Sequence, residues 1–317
     1  MKQQSYDLIG DIHGQHEKLA RLLENLGYRP RPGGGMRHPD GRRVVFLGDY
    51  IDRGPDIRRV LETVRGMVES GDALAIMGNH EYNAVLYATP DGNGGHLKEH
   101  SARNTKTHQA TLDQFAGRPA EWAEWLLWMR GLPMFLDLGA LRAVHACWDA
   151  RRISRLGGAS LLDPDFLRAS ATKLTPEHRA VENVLKGPEM LMPEGSCFHD
   201  KEGAARRTVR VRWWDIPPQS HVCALAMPEP FDSPGEAAPH DLRRLPCYGS
   251  NEPPVFFGHY WLPPEKEKAP LARNLACLDF SGARQGPLVA YRWDGERELS
   301  PEKFVCASLP ETTTHTP

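Results

Sequence analysis

The sequence lacks several features that would assign it to common classes of protein. It has no apolar run approaching the ~18 residues of a membrane-spanning helix, so we expect no membrane contact. It lacks an excess of charge, because the formal net charge is −2. Surfaces for nucleic-acid polymers are basic, and we expect none here. No apolar signal region precedes the first strand-like segment, which favours a cytoplasmic protein.

Cysteine is sparse and scattered, with no Cys-x-x-Cys pair to suggest a zinc knuckle. In a cytosolic chain of this size, free thiols are the expected state. The six cysteines are Cys147, Cys197, Cys223, Cys247, Cys277 and Cys306.

The chain is long enough, at 317 residues and 40% hydrophobic, to bury a substantial core. We predict one domain over residues 1–308, followed by a disordered tail over 309–317. A Pro- and Gly-rich stretch at about 217–254 is predicted to be an insert within that domain. The sequence sets no oligomeric state.

Short apolar runs alternate with amphipathic stretches in the first part of the chain, which is typical of a mostly parallel sheet covered by helices. The predicted strands are Tyr6–Gly10, Val44–Leu47 and Leu74–Met77, and the predicted helices are His16–Leu26, Ile57–Ser70, Glu81–Ala88 and Trp122–Met129. A loose hairpin is predicted over Arg29–Arg43, a tighter one over Met134–Leu138 and Leu141–Val144, and a closing antiparallel pair over Leu275–Phe280 and Leu288–Trp293.

Five apolar runs each end in metal-binding side chains, which is the most informative feature of the sequence. Open α/β sheets place their ligands beyond the strand ends, so we expect these clusters to converge. The clusters are Gly-Asp-Ile-His at 10–13, Gly-Asp-Tyr-Ile-Asp-Arg-Gly at 48–54, Gly-Asn-His-Glu at 78–81, His145 and Gly258-His259.

The residue types indicate a site for two metals. Asp11 and His13 are two apart, so in an extended segment both would face one cation. Asp49 has two carboxylate oxygens and could bridge two cations. An Asp/Asn/His ligand set suits manganese, iron, zinc, cobalt or nickel better than calcium. Two such ions would acidify a bridging water for in-line attack on phosphorus.

In this combination and order, the motifs resemble the calcineurin-like metallophosphoesterases, in particular their phosphoprotein-phosphatase branch. The resemblance implies an α/β fold built as a four-layer α/β/β/α sandwich, with two mixed sheets flanked by helices. It implies that Asp11, His13 and Asp49 hold one metal, most simply manganese. Asp49, Asn79, His145 and His259 would hold the second.

The resemblance also implies catalytic and substrate-binding roles. His80 would protonate the leaving group, Asp52 would orient its ring, and Arg53 and Asn79 would bind the phosphate. The family has a second phosphate-binding arginine further along, for which Arg210 and Arg212 are the candidates here.

Two positions bear on the branch and the substrate. The wider superfamily often ends in Gly-His-x-His, whereas Trp261 occupies the last position here and removes that ligand. Trp148 follows His145 closely where the family has glycine, so we expect it to narrow or reshape the substrate pocket. Cys147 is expected to be a buried small residue.

Three functions remain open. The first is hydrolysis of phosphomonoesters, with phosphoserine and phosphothreonine in proteins among the candidate substrates. The second is symmetrical hydrolysis of a dinucleoside tetraphosphate, whose adenine could stack on Tyr260 or Trp261. The third is an inactive regulatory module, which the intact motif set argues against.

Overall fold

The computed structural model describes residues 4–31, 35–192, 198–199, 205–215, 226–227 and 245–309. Most of the expected insert at 217–254, and the expected tail from residue 310 onward, lie outside these ranges. Within them, no helix is long and apolar enough to cross a membrane.

The first two helices carry their apolar residues on one face, as the periodicity predicts. The helices in the described ranges are α1 (His16–Asn25), α2 (Ile57–Glu69), α3 (Asn79–Ala88), α4 (Ala102–Gln114), α5 (Pro119–Arg130), α6 (Ala150–Leu156), α7 (Pro164–Ala171) and α8 (Pro176–Lys186), with a 3-10 turn at Pro301–Lys303.

The strands are short, and the central ones are buried. They are β1 (Tyr6–Ile9), β2 (Arg29–Pro30), β3 (Met36–Arg37), β4 (Arg43–Phe46), β5 (Ala73–Ala75), β6 (Phe135–Asp137), β7 (Arg142–Val144), β8 (Glu189–Leu191), β9 (Phe198–His199), β10 (Ala205–Arg206), β11 (Thr208–Val211), β12 (Ala226–Met227), β13 (Val255–Phe257), β14 (Leu275–Cys277), β15 (Leu288–Trp293) and β16 (Phe304–Ala307).

Two mixed sheets form the centre of the molecule. The first has the order β16-β15-β1-β4-β5, with β1, β4 and β5 parallel and β15 antiparallel to both of its neighbours. The second has the order β14-β13-β7-β6, in which β6 alone is antiparallel to its neighbour. All the motif-bearing strands therefore run parallel within their own sheet, so their carboxyl ends share an edge.

The two sheets pack face to face, and helices lie against them. Phe256 on β13 meets Tyr291 on β15, with ring centroids 5.0 Å apart. Helix α1 packs on β15 and β16, and α2 packs on β5. On the second sheet, the ring centroids of Trp213 and Phe257 are 5.1 Å apart. The N–H of Ala146, which follows β7, donates to the carbonyl of Val184 in the last turn of α8. The α/β architecture of two mixed sheets flanked by helices is thus confirmed.

One predicted pairing is wrong. Segments Leu275–Phe280 and Leu288–Trp293 both contain strands, but β14 pairs in parallel with β13, whereas β15 pairs with β1 and β16. The loop between them crosses from one sheet to the other. Each strand is buried against its own sheet, so apolar content alone could not identify its partner.

Other local predictions are confirmed within a few residues at the element ends. The hairpin of β6 and β7 forms, and the Arg29–Arg43 region contains the small β2–β3 hairpin. Helix α4 lies in a polar stretch whose sequence pattern indicates neither a helix nor a strand. The sequence pattern also did not predict α6, α7 and α8.

Candidate active site

The five motif clusters converge where β1, β4, β5, β7 and β13 end. Backbone contacts join the turns directly: the N–H groups of Ile12 and His13 donate to the carbonyl of Asp49 at 3.1 and 2.8 Å. From the second sheet, Gly258 donates to the carbonyl of His145 at 2.8 Å. The site is therefore built from both sheets and is fixed by main-chain hydrogen bonds.

Asp49 lies at the centre and belongs to two groups of potential metal ligands. One group is His13, Asp49 and His80, and the other is Asp49, His145 and His259, with the ligand atoms of each within 4.8 Å of one another. His13 Nε2 lies 3.3 Å from Asp49 Oδ2, and His145 Nε2 lies 3.4 Å from Asp49 Oδ1. The two oxygens of one carboxylate thus face two separate pockets.

The donor atoms fit cations in both pockets. His13 and His145 each place Nδ1 2.8 Å from a backbone carbonyl, of Ile51 and Leu47 respectively, which leaves Nε2 as the ligand atom. The Asn79 side-chain oxygen lies 3.0 Å from His145 Nε2. His259 Nε2 is buried and has no hydrogen-bond partner among the described residues, as expected of a nitrogen placed for a metal.

Charge in this buried site is strongly perturbed. Burial opposes ionisation of Asp49, but His145, His80 and His13 hold its pKa well below the usual value. Burial also opposes the charged form of His145, yet the Asp49 carboxylate raises the pKa of His145 to about 10. Burial lowers the pKa of His13 and of His259, and keeps them in the neutral form that binds metals.

Asp11 lies against the backbone of His259. The segment after β1 leaves the extended conformation, with His13 at φ +46°. Both carboxylate oxygens of Asp11 accept the His259 N–H at 3.1 Å. Burial, together with repulsion from Asp279, raises the pKa of Asp11 well above its usual value. Asp11 borders the site but is in neither of the two three-residue groups found among the described residues.

His80 is held by a buried carboxylate from the same turn as Asp49. Its Nδ1 lies 2.5 Å from Asp52 Oδ2, and its Nε2 lies 4.0 Å from Asp49 Oδ2. Helix α4 fixes the other oxygen of Asp52: His108 Nδ1 lies 2.7 Å away, and the Thr111 hydroxyl donates to it at 2.5 Å. Asp52 is thus fully hydrogen-bonded.

Arg53 reaches over the site from an exposed position. Its guanidinium lies 2.7 Å from His13 Nε2 and 3.2 Å from His80 Nε2. Of the two later arginines, Arg210 approaches the site, with Nη1 3.4 Å from the His259 carbonyl, while Arg212 lies 3.9 Å from Asp215.

Part of the chain is similar to the calcineurin-like phosphoesterases. Residues 6–135 match the family model described as calcineurin-like phosphoesterase. A protein named bis(5'-nucleosyl)-tetraphosphatase PrpE [asymmetrical] from Halalkalibacterium halodurans is 43% identical over 75 residues, which cover 24% of this chain and 30% of that protein. Its namesake from Bacillus subtilis is 41% identical over 76 residues, or 24% and 31% of the two chains. This chain therefore matches less than a third of the length of these relatives.

The fold extends further than the sequence match. A structure described as a protein serine/threonine phosphatase from Saccharomyces cerevisiae, with similarity to human phosphatase PP5, aligns with a TM-score of 0.50. The alignment covers 97% of this chain and 81% of that chain at 12% identity. At that identity the likeness is one of fold alone.

Unusual backbone conformations concentrate at the site. Among the described residues, eight non-glycine positions have positive φ. Six of them lie in the motif segments: His13, Asp49, Asp52, Arg53, His259 and Trp261. Such conformations carry a steric cost, and they persist where the surroundings impose them.

Two glycines let the turns approach each other. A Cβ at Gly48, which has φ +96°, would lie 2.5 Å from the backbone nitrogen of Gly78. A Cβ at Gly78 would lie 2.2 Å from Asp49 Oδ1. Any side chain at either position would force apart the turns that hold Asp49.

Three side chains near the substrate region pack away from it. Tyr260 is 3% exposed and packs against Trp214 and Phe257, which leaves no ring face for a base. Trp148 is 4% exposed and packs edge-on against Phe135. Burial raises the pKa of the Cys147 thiol, as expected for an inert core cysteine.

Three supporting residues received no role from the sequence. Glu81 follows the Asn-His pair, and its carboxylate accepts the N–H groups of Asp49 and Tyr50 at 2.8 Å and of Gly78 at 2.9 Å. Its position in the Gly-Asn-His-Glu motif could have identified Glu81 as a residue of the site from the sequence. His108 and Thr111 lie in the polar stretch of α4, where no pattern set them apart.

Replacing Glu81 by Ala should destabilise the fold strongly. The change leaves four buried backbone N–H groups unpaired, those of Asp49, Tyr50, Ile51 and Gly78. Each costs about 1–3 kcal/mol, so we expect a loss of about 4 kcal/mol or more. Urea unfolding followed by tryptophan fluorescence measures it. The control Glu17→Ala removes an exposed pair with Arg21 and should cost under about 0.5 kcal/mol. Similar losses in the two variants would contradict the assigned contacts.

Manganese should stabilise the folded protein, because a ligand that binds only the native state raises the melting temperature. Asp49→Asn removes the charge shared by both pockets and should abolish that increase. The control Asp113→Asn changes an exposed carboxylate on α4 and should retain it. Differential scanning fluorimetry with and without manganese is the measurement, and an undiminished increase in Asp49→Asn would refute the central role of Asp49.

Proposed function

We propose that this chain is a two-metal phosphoesterase that hydrolyses phosphomonoesters, with phosphoserine and phosphothreonine among its candidate substrates. The observation that carries this proposal is the pair of buried ligand groups that share Asp49. Asp11, His13 and Asp49 would hold one divalent cation. Asp49, Asn79, His145 and His259 would hold the other. When bound, the two cations would supply Lewis-acid activation of water and of the phosphoryl oxygens.

The chain's own residues supply binding and proton transfer. Arg53 has a planar guanidinium that can donate two hydrogen bonds to a phosphate. In the structure it lies beside both imidazoles of its pocket, His13 and His80, where a phosphoryl group would bind. We assign Arg210 the second phosphate contact, since its guanidinium reaches the His259 carbonyl.

His80 is the proposed general acid. The hydrogen bonds from His108 and His80 outweigh the effect of burial and lower the pKa of Asp52, so Asp52 remains charged. A charged Asp52 accepts the Nδ1–H of His80 and fixes the orientation of its ring. The opposite nitrogen, Nε2, then faces the site and can protonate the departing oxygen.

His80→Asn should lower kcat for p-nitrophenyl phosphate with manganese by about 10²–10⁴-fold, the usual contribution of general acid catalysis. Stabilisation by manganese should persist, because the residues around Asp49 remain. The matched control His96→Asn removes an imidazole outside the site and should retain turnover. Full activity in His80→Asn would refute its role. Absence of turnover in the unmodified protein with every divalent metal would refute the enzymatic proposal and favour the inactive module.

A second candidate substrate is a dinucleoside tetraphosphate. The relatives that match at 41–43% identity are named bis(5'-nucleosyl)-tetraphosphatases. Their names specify asymmetrical cleavage, whereas the motif pattern around Gly258 and His259 led us to expect the symmetrical reaction.

Diadenosine tetraphosphate and a phosphoserine peptide, incubated in parallel with the enzyme and manganese, should separate the candidates. Phosphate release from the peptide is expected on the first proposal. Cleavage of the nucleotide would favour the second candidate, and chromatography of the products identifies the bond. Two ADP molecules would show symmetrical cleavage, and ATP plus AMP would show asymmetrical cleavage. Phosphate release from the peptide alone would contradict the second candidate.

A further inference from the structure

Trp261 links two arginines at the mouth of the site. The Arg53 guanidinium carbon lies 4.0 Å from the centre of the Trp261 ring, and that of Arg284 lies 5.1 Å from the same centre. Both distances are within the range of cation–π contacts. Trp261 is itself fixed, because its N–H donates to the buried carboxylate of Asp279 at 2.8 Å.

The loop that carries Arg284 is held rigidly. Lys18 on α1 is 4% exposed, and its ammonium donates to the carbonyls of Gly282, Arg284 and Gly286 at 2.7, 2.8 and 2.9 Å. Gln15 donates to the neighbouring carbonyl of Ala283 at 3.1 Å. A buried lysine used in this way fixes the loop relative to α1, which directly follows the turn containing His13.

The Arg284 side chain is exposed, and its charge is not neutralised nearby. Among the residues that the structure describes, no carboxylate lies within ion-pair distance of its guanidinium. The distances of 4.0 and 5.1 Å to a common ring centre add to 9.1 Å, the largest possible separation of the two guanidinium carbons. Each guanidinium can donate to an oxygen about 2.8 Å away, so one short chain of phosphoryl groups can contact both.

We propose that Arg284 binds a second phosphoryl group where the substrate has one, so that among the phosphoesters the site hydrolyses, those with two or more linked phosphates bind more tightly than those with a single phosphate. This inference rests on the proposed function, in which Arg53 binds the phosphoryl group at the metals. Trp261 spaces the two guanidinium groups. The ring surface that Arg53 covers is not open to a nucleobase, so selectivity comes from the phosphate chain rather than from base stacking.

The test uses the manganese-loaded protein and two probes with one and two phosphates, AMP and α,β-methylene-ADP. Isothermal titration calorimetry gives both dissociation constants. The unmodified protein should bind the two-phosphate probe more tightly, and Arg284→Gln should reduce that preference by about tenfold, as expected for one lost charge-assisted hydrogen bond. Arg284→Lys keeps the charge and should recover part of the preference.

Arg21→Gln is the matched control. It removes the same charge from the neighbouring surface of α1, where Arg21 pairs with Glu17 at 2.8 Å, and should leave the preference unchanged. An unchanged preference in Arg284→Gln, or an equal loss in Arg21→Gln, would overturn the inference. Turnover of p-nitrophenyl phosphate by the unmodified protein is measured in parallel. If either of these results is found while turnover is present, this inference alone fails. If turnover is absent, the proposed function fails.

Discussion

The hydrogen bonds between the Glu81 carboxylate and the turn after β4 underlie the rest of the site. One carboxylate accepts four buried backbone N–H groups, from Gly78, Asp49, Tyr50 and Ile51. It thereby joins the ends of β4 and β5 and holds Asp49 in a left-handed conformation that its own backbone disfavours. Because Asp49 contributes to both ligand groups, displacement of this turn would disturb the two pockets together.

The fold places like charges close together in a region from which water is largely excluded. Asp11, Asp49 and Asp279 are all at most 3% exposed, and their mutual repulsion contributes to the raised pKa of Asp11. An apolar core of the same shape would not carry this electrostatic cost. Divalent cations would offset this repulsion. Metal binding therefore explains a cluster of buried carboxylates that would otherwise only reduce the stability of the fold.

How far sequence could predict this protein depends on the range of the interactions. The ends of β1, β4 and β5 were recognisable because an apolar run, a glycine and a polar cluster lie side by side in the chain. The partners of β14 and β15 depend on contacts between distant segments, which apolar content does not encode. Asp11 and His13 were assumed to share a strand face, but the backbone turns sharply at His13. His108 lies on a polar helix that no sequence pattern marks, and only the fold brings its ring to Asp52.

The attachment of Asp52 to α4 has a consequence for control of the reaction. His108 and Thr111 hold one carboxylate oxygen, while the other holds the proposed acid. The opposite face of the helix is largely solvent-exposed. Any displacement of α4 would therefore move the carboxylate that holds His80, so the orientation of this imidazole depends on a helix outside the five motif clusters.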